Sequence, residues 1–334
     1  MAQSLGFGEE AGGTLTSGGS AGTLTAMLAM RSAMQARLGG NGHAGALPCL
    51  LVSDQAHYAV KRAVQIMGWG DGGVQQVATD ERYRLQPDAL AAAHARAHAA
   101  GRKVYGVVGN ACATATGSYD PLDAIADYCA QHALWFHVDA AHGGAACLSA
   151  RHKHLLHGVA RADSVVWDAH KMLLTPALVS AVLFRREADS YLPYQAEASY
   201  LYRQQAQDEW YNLGHRTLEC TKYMAAFRLY AALRQHGTQF FADYVATMYD
   251  RAQAFAQAVD DAPDFELGCW PDANIVCFRY APEGAGDPSA LQLSIREALL
   301  REGSFYIVQT GLRDGTYLRC TLINRSEEHT SELQ

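Results

Sequence analysis

Over the first two thirds of this 334-residue chain, short runs rich in aliphatic and β-branched residues alternate with longer runs of helical period. The strand candidates are 49–53, 104–110, 134–140, 164–168 and 181–185, and the helix candidates are 22–37, 57–67, 87–100 and 121–132. That alternation is the pattern of an α/β fold, a mostly parallel sheet covered by helices. A long helical stretch at 218–235 then runs through His236-Gly237 into a second at 239–259, where a large domain, 1–236, hands over to a small α+β domain, 237–324. Pro263 and Pro271 mark turns there, and segments 275–280, 289–302, 305–309 and 317–324 supply the strands and helix of the small domain.

Charge narrows the partners. A net charge of −7 argues against nucleic acid or an anionic membrane, since both call for a basic surface, and leaves a small molecule as the default. The eight cysteines form no C-x-x-C pair and sit mostly in apolar stretches, as reduced core residues do, which points to a cytoplasmic protein. No run reaches the roughly 18 to 20 apolar residues of a membrane span, and the start lacks a signal peptide. His152, His154 and His157 cluster in a polar connection without carboxylates close in sequence, so they read as surface histidines and no metal site is expected.

Both ends carry expectations of their own. Residues 325–334, Arg-Ser-Glu-Glu-His-Thr-Ser-Glu-Leu-Gln, match the in-frame translation of a sequencing-library adapter and are set aside from the fold. The apolar run at 317–324 has nothing after it to close a domain, and Met1 stands close before the first chemical motif, so a fragment cut at both ends is expected.

Three segments carry chemistry. In Ser-Val-Val-Trp-Asp-Ala-His-Lys, 164–171, a strand ends and presents Lys171 before another apolar run, where shielding from water favours the free amine that forms a Schiff base. In Trp-Phe-His-Val-Asp-Ala-Ala-His, 135–142, Asp139 ends an apolar strand, placed to face the ring nitrogen of a pyridoxal cofactor, and the Asp-x-Ala spacing lets Ala141 lie against one ring face. In Thr-Ser-Gly-Gly-Ser, 16–20, small residues open a helix, and the free N–H groups around Gly18, Gly19 and Ser20 form a natural phosphate cradle. Taken singly, these signals also describe a surface lysine, a strand-end aspartate and a flexible turn; their joint presence is what carries weight.

In this order, Thr16-Ser-Gly-Gly-Ser20, Asp54-Gln-Ala-His57 with Lys61, His137-Val-Asp-Ala-Ala-His-Gly143 and Asp168-Ala-His-Lys171 resemble the group II pyridoxal-dependent amino-acid decarboxylases, over roughly 13–324. The resemblance implies the aspartate-aminotransferase type of fold (fold type I), pyridoxal 5′-phosphate as cofactor, an amino-acid substrate and a homodimeric parent. It places His57 over the ring and His170 near the phosphate. Ala198 to Arg203 resembles the mobile catalytic loop, whose tyrosine, Tyr200 ahead of Tyr202, returns a proton to the substrate carbon. Arg216 falls on a recurrent arginine of the segment that follows.

Two departures stand out. Cys112-Ala113-Thr114 replaces the usual Gly-Thr-Thr, so Thr114 alone must supply a hydroxyl on the cofactor side, and His142 stands where an aromatic is commoner, facing either substrate or a partner subunit. The reaction implied is decarboxylation of an L-amino acid, acidic or diamino ahead of aromatic. An aminotransferase or another pyridoxal lyase would share the lysine, aspartate and cradle, because fold does not choose the bond broken. An inactive truncated fragment is the reading from outside enzyme chemistry.

Overall fold

The unbroken apolar runs belong to strands buried on both faces. The computed structural model describes residues 1–38, 46–194, 212–219, 221–284, 286–303 and 305–323. In chain order its first elements are β1 (Gly12–Thr16), α1 (Gly19–Arg37), β2 (Leu47–Ser53), α2 (Tyr58–Ile66), β3 (Val74–Val77), α3 (Leu90–Ala99), β4 (Arg102–Asn110), α4 (Leu122–Gln131), β5 (Trp135–Asp139), β6 (Ser164–Asp168) and β7 (Ser180–Phe184). They form a seven-stranded sheet in the order β1-β7-β6-β5-β4-β2-β3. Strands β2 to β6 pair in parallel, while β7 runs antiparallel to β6 and β1 antiparallel to β7.

Alternate side chains of each strand enter opposite cores. Leu50, Val52, Val108, Trp135 and Val166 pack beneath Met27, Met30 and Met34 of α1 and Val60 and Val64 of α2. Leu51, Val107, Phe136, Val138 and Val165 face Leu90 of α3 and Leu122 and Ile125 of α4. Each such fully buried side chain contributes about 1.5–3 kcal/mol. The same period of two places Asp139 on the α1 side with Trp135, and Asp168 on that side with Val166.

After β7 come α5 (Ala225–Asp260), β8 (Phe265–Leu267), β9 (Ile275–Tyr280), α6 (Pro288–Glu302), β10 (Val308–Leu312) and β11 (Gly315–Thr321). The four strands form an antiparallel sheet in the order β10-β11-β9-β8. Helix α5 is broken at Gly237, whose φ of 70° and ψ of 168° are not helical; only glycine adopts them readily. Among the described residues no helix is long and apolar enough to cross a membrane.

All five strands and four helices read from the alternation are present, and β1 and β3 are additions. Among the boundary shifts, two have a clear physical cause. Helix α5 starts at Ala225 rather than 218, because Lys222 is instead drawn to the Leu15 carbonyl of β1. The strand placed at 305–309 is β10 at Val308–Leu312: pairing with β11 fixes its register, and Phe305 and Tyr306 remain exposed.

Candidate active site

The carboxyl ends of β4, β5 and β6 meet the N-terminus of α1, the crevice in which open α/β sheets take ligands. Asp139 ends β5 and Asp168 ends β6, both buried. Past Asp168 the chain turns back, and Lys171 Nζ lies 3.0 Å from Asp168 Oδ2. The carboxylate is itself fixed: Ser180 Oγ donates to Asp168 Oδ1 at 2.5 Å. The turn is held by His170 Nδ1, 2.9 Å from the Val179 carbonyl, and His170 Nε2 stands 3.8 Å from Asp168 Oδ2.

Across from Lys171, α1 opens at Gly19 with Gly18 as its cap residue and no side chain capping it. Gly18 has φ of 102°, and a Cβ on Gly19 would stand 2.8 Å from Asp168 Oδ2, so both glycines are required by the backbone's shape and closeness. The first N–H groups of a helix have no carbonyl partner within it, which leaves those of Gly19 and Ser20 to an anion. Gly18, Gly19, Ser20, Lys171, Asp139 and His57 together line a cavity of about 330 Å3, also bounded by Cys112, Thr114, Ala141, His142 and His170. Its size is that of a small-molecule pocket.

Within it, the one hydrogen bond to the Asp139 side chain among the described residues comes from the Ala141 N–H, 3.1 Å from Oδ1. Burial pushes this carboxyl above the ordinary carboxylate range, opposed chiefly by the Lys171 charge. His57 caps α2, its Nδ1 accepting from Ala59 N–H at 3.3 Å, and burial lowers its affinity for a proton. The Cys112 thiol is pushed up to about 12 by burial, so it stays protonated. These residues fit pyridoxal phosphate: an amine, an acceptor for the ring N–H, a helix terminus free of side chains for the phosphate, and flat-lying groups between.

A second cavity of about 490 Å3 adjoins the first and shares Thr114, His142, His170 and Lys171. Its far wall comes from the second sheet: Arg319 and Thr321 of β11 and Ile275 of β9. Arg319 Nε donates to the Thr114 carbonyl at 2.9 Å. His142 Nε2 lies 2.7 Å from Asn274 Oδ1, while Asn274 Nδ2 donates to the Leu322 carbonyl at 2.8 Å. Since the amide oxygen can only accept, His142 carries its proton on Nε2. Burial pushes this imidazole down to about 4, so it is neutral near pH 7.

The residues read from the sequence as catalytic or cofactor-binding, where they fall within the described residues, line the first cavity. Tyr200 and Tyr202 lie outside the described residues. Arg216 does not line either cavity; it is buried against Glu187, at 2.6 Å, with its guanidinium over the Tyr191 ring. Two side chains escaped the sequence reading. Asp168 stood inside the quoted Asp-Ala-His-Lys motif, and the period of two places it on the Asp139 side. Arg319 was visible as the one charge in the apolar run 317–324.

A family described as the pyridoxal-dependent decarboxylase conserved domain matches residues 1–281. Acidic amino acid decarboxylase GADL1 of Mus musculus is 32% identical over 313 residues, covering 90% of this chain and 57% of the relative. Cysteine sulfinic acid decarboxylase of Mus musculus is 34% identical over 244 residues, covering 71% and 49%. The chain thus spans about half the length of these curated relatives. Among solved structures, mouse CSAD in apo form superposes with a TM-score of 0.87 at 27% identity, over 97% of this chain and 69% of that one. Oryza sativa TDC with PLP and tryptamine gives 0.90 at 25%, over 99% and 71%. With the lysine, the aspartate and the uncapped N-terminus of α1 gathered at one crevice and the match running over 1–281, the chain belongs to the pyridoxal-dependent decarboxylase family.

Proposed function

We propose that this chain carries the cofactor site of an enzyme that decarboxylates an acidic L-amino acid to the amine and carbon dioxide. The observation that carries the reading is the placement of Lys171 Nζ in a cavity bounded by Asp139 and the open N-terminus of α1. Bound pyridoxal 5′-phosphate supplies an aldehyde for the amino group and a cationic ring that accepts the electron pair left by the departing carboxylate.

The protein's part is binding and orientation. The N–H groups of Gly19 and Ser20, in the turn opened by Gly18, hold the phosphate, with His170 and Thr114 beside it. Asp139 accepts the ring N–H and keeps that proton in place by a charge-assisted hydrogen bond. His57 and Ala141, which both line the cavity, would be the residues that pack against the cofactor ring. Lys171 would be the amine that holds the cofactor's aldehyde carbon. Tyr200, outside the described residues, is assigned the proton donor to the substrate carbon. Arg319, on the substrate side, pairs with a substrate carboxylate; the names of the two relatives, acidic and sulfinic acid decarboxylases, accord with that cation. The same reading sets the domain division at Gly237, places the protein in the cytoplasm and makes the enzyme a homodimer.

Release of labelled carbon dioxide from glutamate, aspartate, cysteine sulfinate and a diamino acid, with pyridoxal phosphate and no keto acid, tests this. Release from an acidic substrate is expected. Amino transfer that depends on a keto acid, without carbon dioxide, would replace decarboxylase by aminotransferase.

A further inference from the structure

Asp54 opens the Asp-Gln-Ala-His segment but does not line the cavity its neighbour His57 faces. Its carboxylate is bonded elsewhere: the hydroxyl of Thr79, a buried residue, lies 3.1 Å from Asp54 Oδ1 and 3.3 Å from Oδ2. Thr79 is reached in turn from the second sheet. At the turn between β10 and β11, Arg313 Nη2 lies 2.6 Å from Thr79 Oγ1, 2.6 Å from the Thr79 carbonyl and 2.7 Å from the Asp80 carbonyl. Its guanidinium stands 4.9 Å from the centre of the Tyr83 ring.

The direction of this chain follows from its chemistry. A guanidinium only donates and a carboxylate only accepts, so the Thr79 hydroxyl must accept from Arg313 and give its single proton to Asp54. Bonds aligned this way polarise one another. The loop they reach is otherwise fixed from within the first sheet: Asn110 Nδ2 donates to Ser53 Oγ at 2.8 Å, and Ala56 N–H to the Ser53 carbonyl at 3.1 Å. Asp54 is where the second sheet grips it.

We propose that Arg313 is a positioning residue that sets His57 over the cofactor ring through Thr79 and Asp54, so that the small sheet adjusts the cofactor site as well as covering it. The proposal rests on the role given above to His57. A second tie, Arg82 to Asp272, joins the same parts of the molecule without touching Asp54, and serves as the control for simple loosening.

The imidazole signals of histidine-labelled protein, with that of His57 assigned by its loss in His57→Gln, read this relay without cofactor. Arg313→Gln and Thr79→Val are expected to move the His57 signal alike, with no further change in the double variant, while Thr79→Ser and Arg82→Gln leave it in place. Pyridoxal phosphate should bind about three- to tenfold more weakly to the first two, again without addition in the double. A His57 signal unmoved by Arg313→Gln, additive effects, or an equal response to Arg82→Gln would overturn the relay. Absence of a cofactor band in the wild-type protein would instead overturn the functional reading, since the His57 signal is read with no ligand present.

Discussion

Replacing Gly19 by alanine adds one methyl group at the most crowded point of the site. Built on the backbone, that Cβ lies 2.8 Å from Asp168 Oδ2, 2.9 Å from Oδ1 and 3.2 Å from Cγ. Asp168 has little freedom to retreat: it is 2% exposed, bonded by Ser180 at 2.5 Å and paired with Lys171 at 3.0 Å. Restoring van der Waals distance takes about half an ångström, and overpacking of this kind costs about 1–3 kcal/mol. Alanine is the better helix former by up to about 1 kcal/mol, less at a first helical position, so the clash wins by about 1–2 kcal/mol. If the α1 terminus moves to relieve it, the phosphate cradle moves too, and pyridoxal phosphate binding weakens about 5- to 30-fold. Absorbance titration with the cofactor and thermal unfolding without it measure the two effects. Gly22→Ala, whose nearest contacts are 3.2 and 3.4 Å, is the control that gains propensity with a far milder clash. A Gly19→Ala protein that melts higher than wild type and binds as tightly would refute the rigidity assigned to Asp168.

Asp139→Asn keeps the shape of the buried side chain and removes its charge, and is expected to weaken pyridoxal phosphate binding about 10- to 100-fold, the worth of a charge-assisted hydrogen bond; an unchanged affinity would remove Asp139 from the ring nitrogen. Arg319→Met should raise the KM for an acidic amino acid about tenfold or more while the cofactor spectrum stays as it was, and an equal change for every amino acid tried would argue against carboxylate recognition. His137 is fully buried and its imidazole is pushed down to about 3 by burial, whereas an unfolded histidine titrates near 6.5. Between those values the unfolded chain binds the proton and the folded one does not, so the stability from this site is complete above pH 6.5 and is lost as pH falls, by about 2–3 kcal/mol at pH 4.5. Asp120, pushed up to about 6 by burial, acts in the opposite sense over the same range, so the quantity to measure is the difference in thermal stability between wild type and His137→Gln across pH 4.5 to 7.5. A constant difference would mean that His137 does not titrate as its burial requires.

Asp139 was legible because it ends an apolar strand and Lys171 because it closely follows the end of another, and parallel strands bring such ends to one edge of the sheet wherever they lie in sequence. The cradle was legible because helices begin in recognisable ways: Gly18 and Gly19 precede a run of helical period. What escaped depends on contacts distant in sequence. Strand β1 contains Gly12 and Gly13 and becomes a strand by pairing with β7, for instance Gly12 with Phe184. Arg319 becomes part of the site only when β11 reaches Thr114, and Asp54 acquires its partner only when Arg313 reaches Thr79. Local pattern gives the elements of the large sheet; the second cavity is made where the second sheet meets it, and no local rule reports that meeting.

The most direct measurement is the visible absorption spectrum of the purified chain with added pyridoxal phosphate, beside a Lys171→Ala control. A yellow band present in the wild-type protein and lost in the variant is the expected result. A band in neither, or the same band in both, would contradict the assignment of Lys171 as the residue that holds the cofactor.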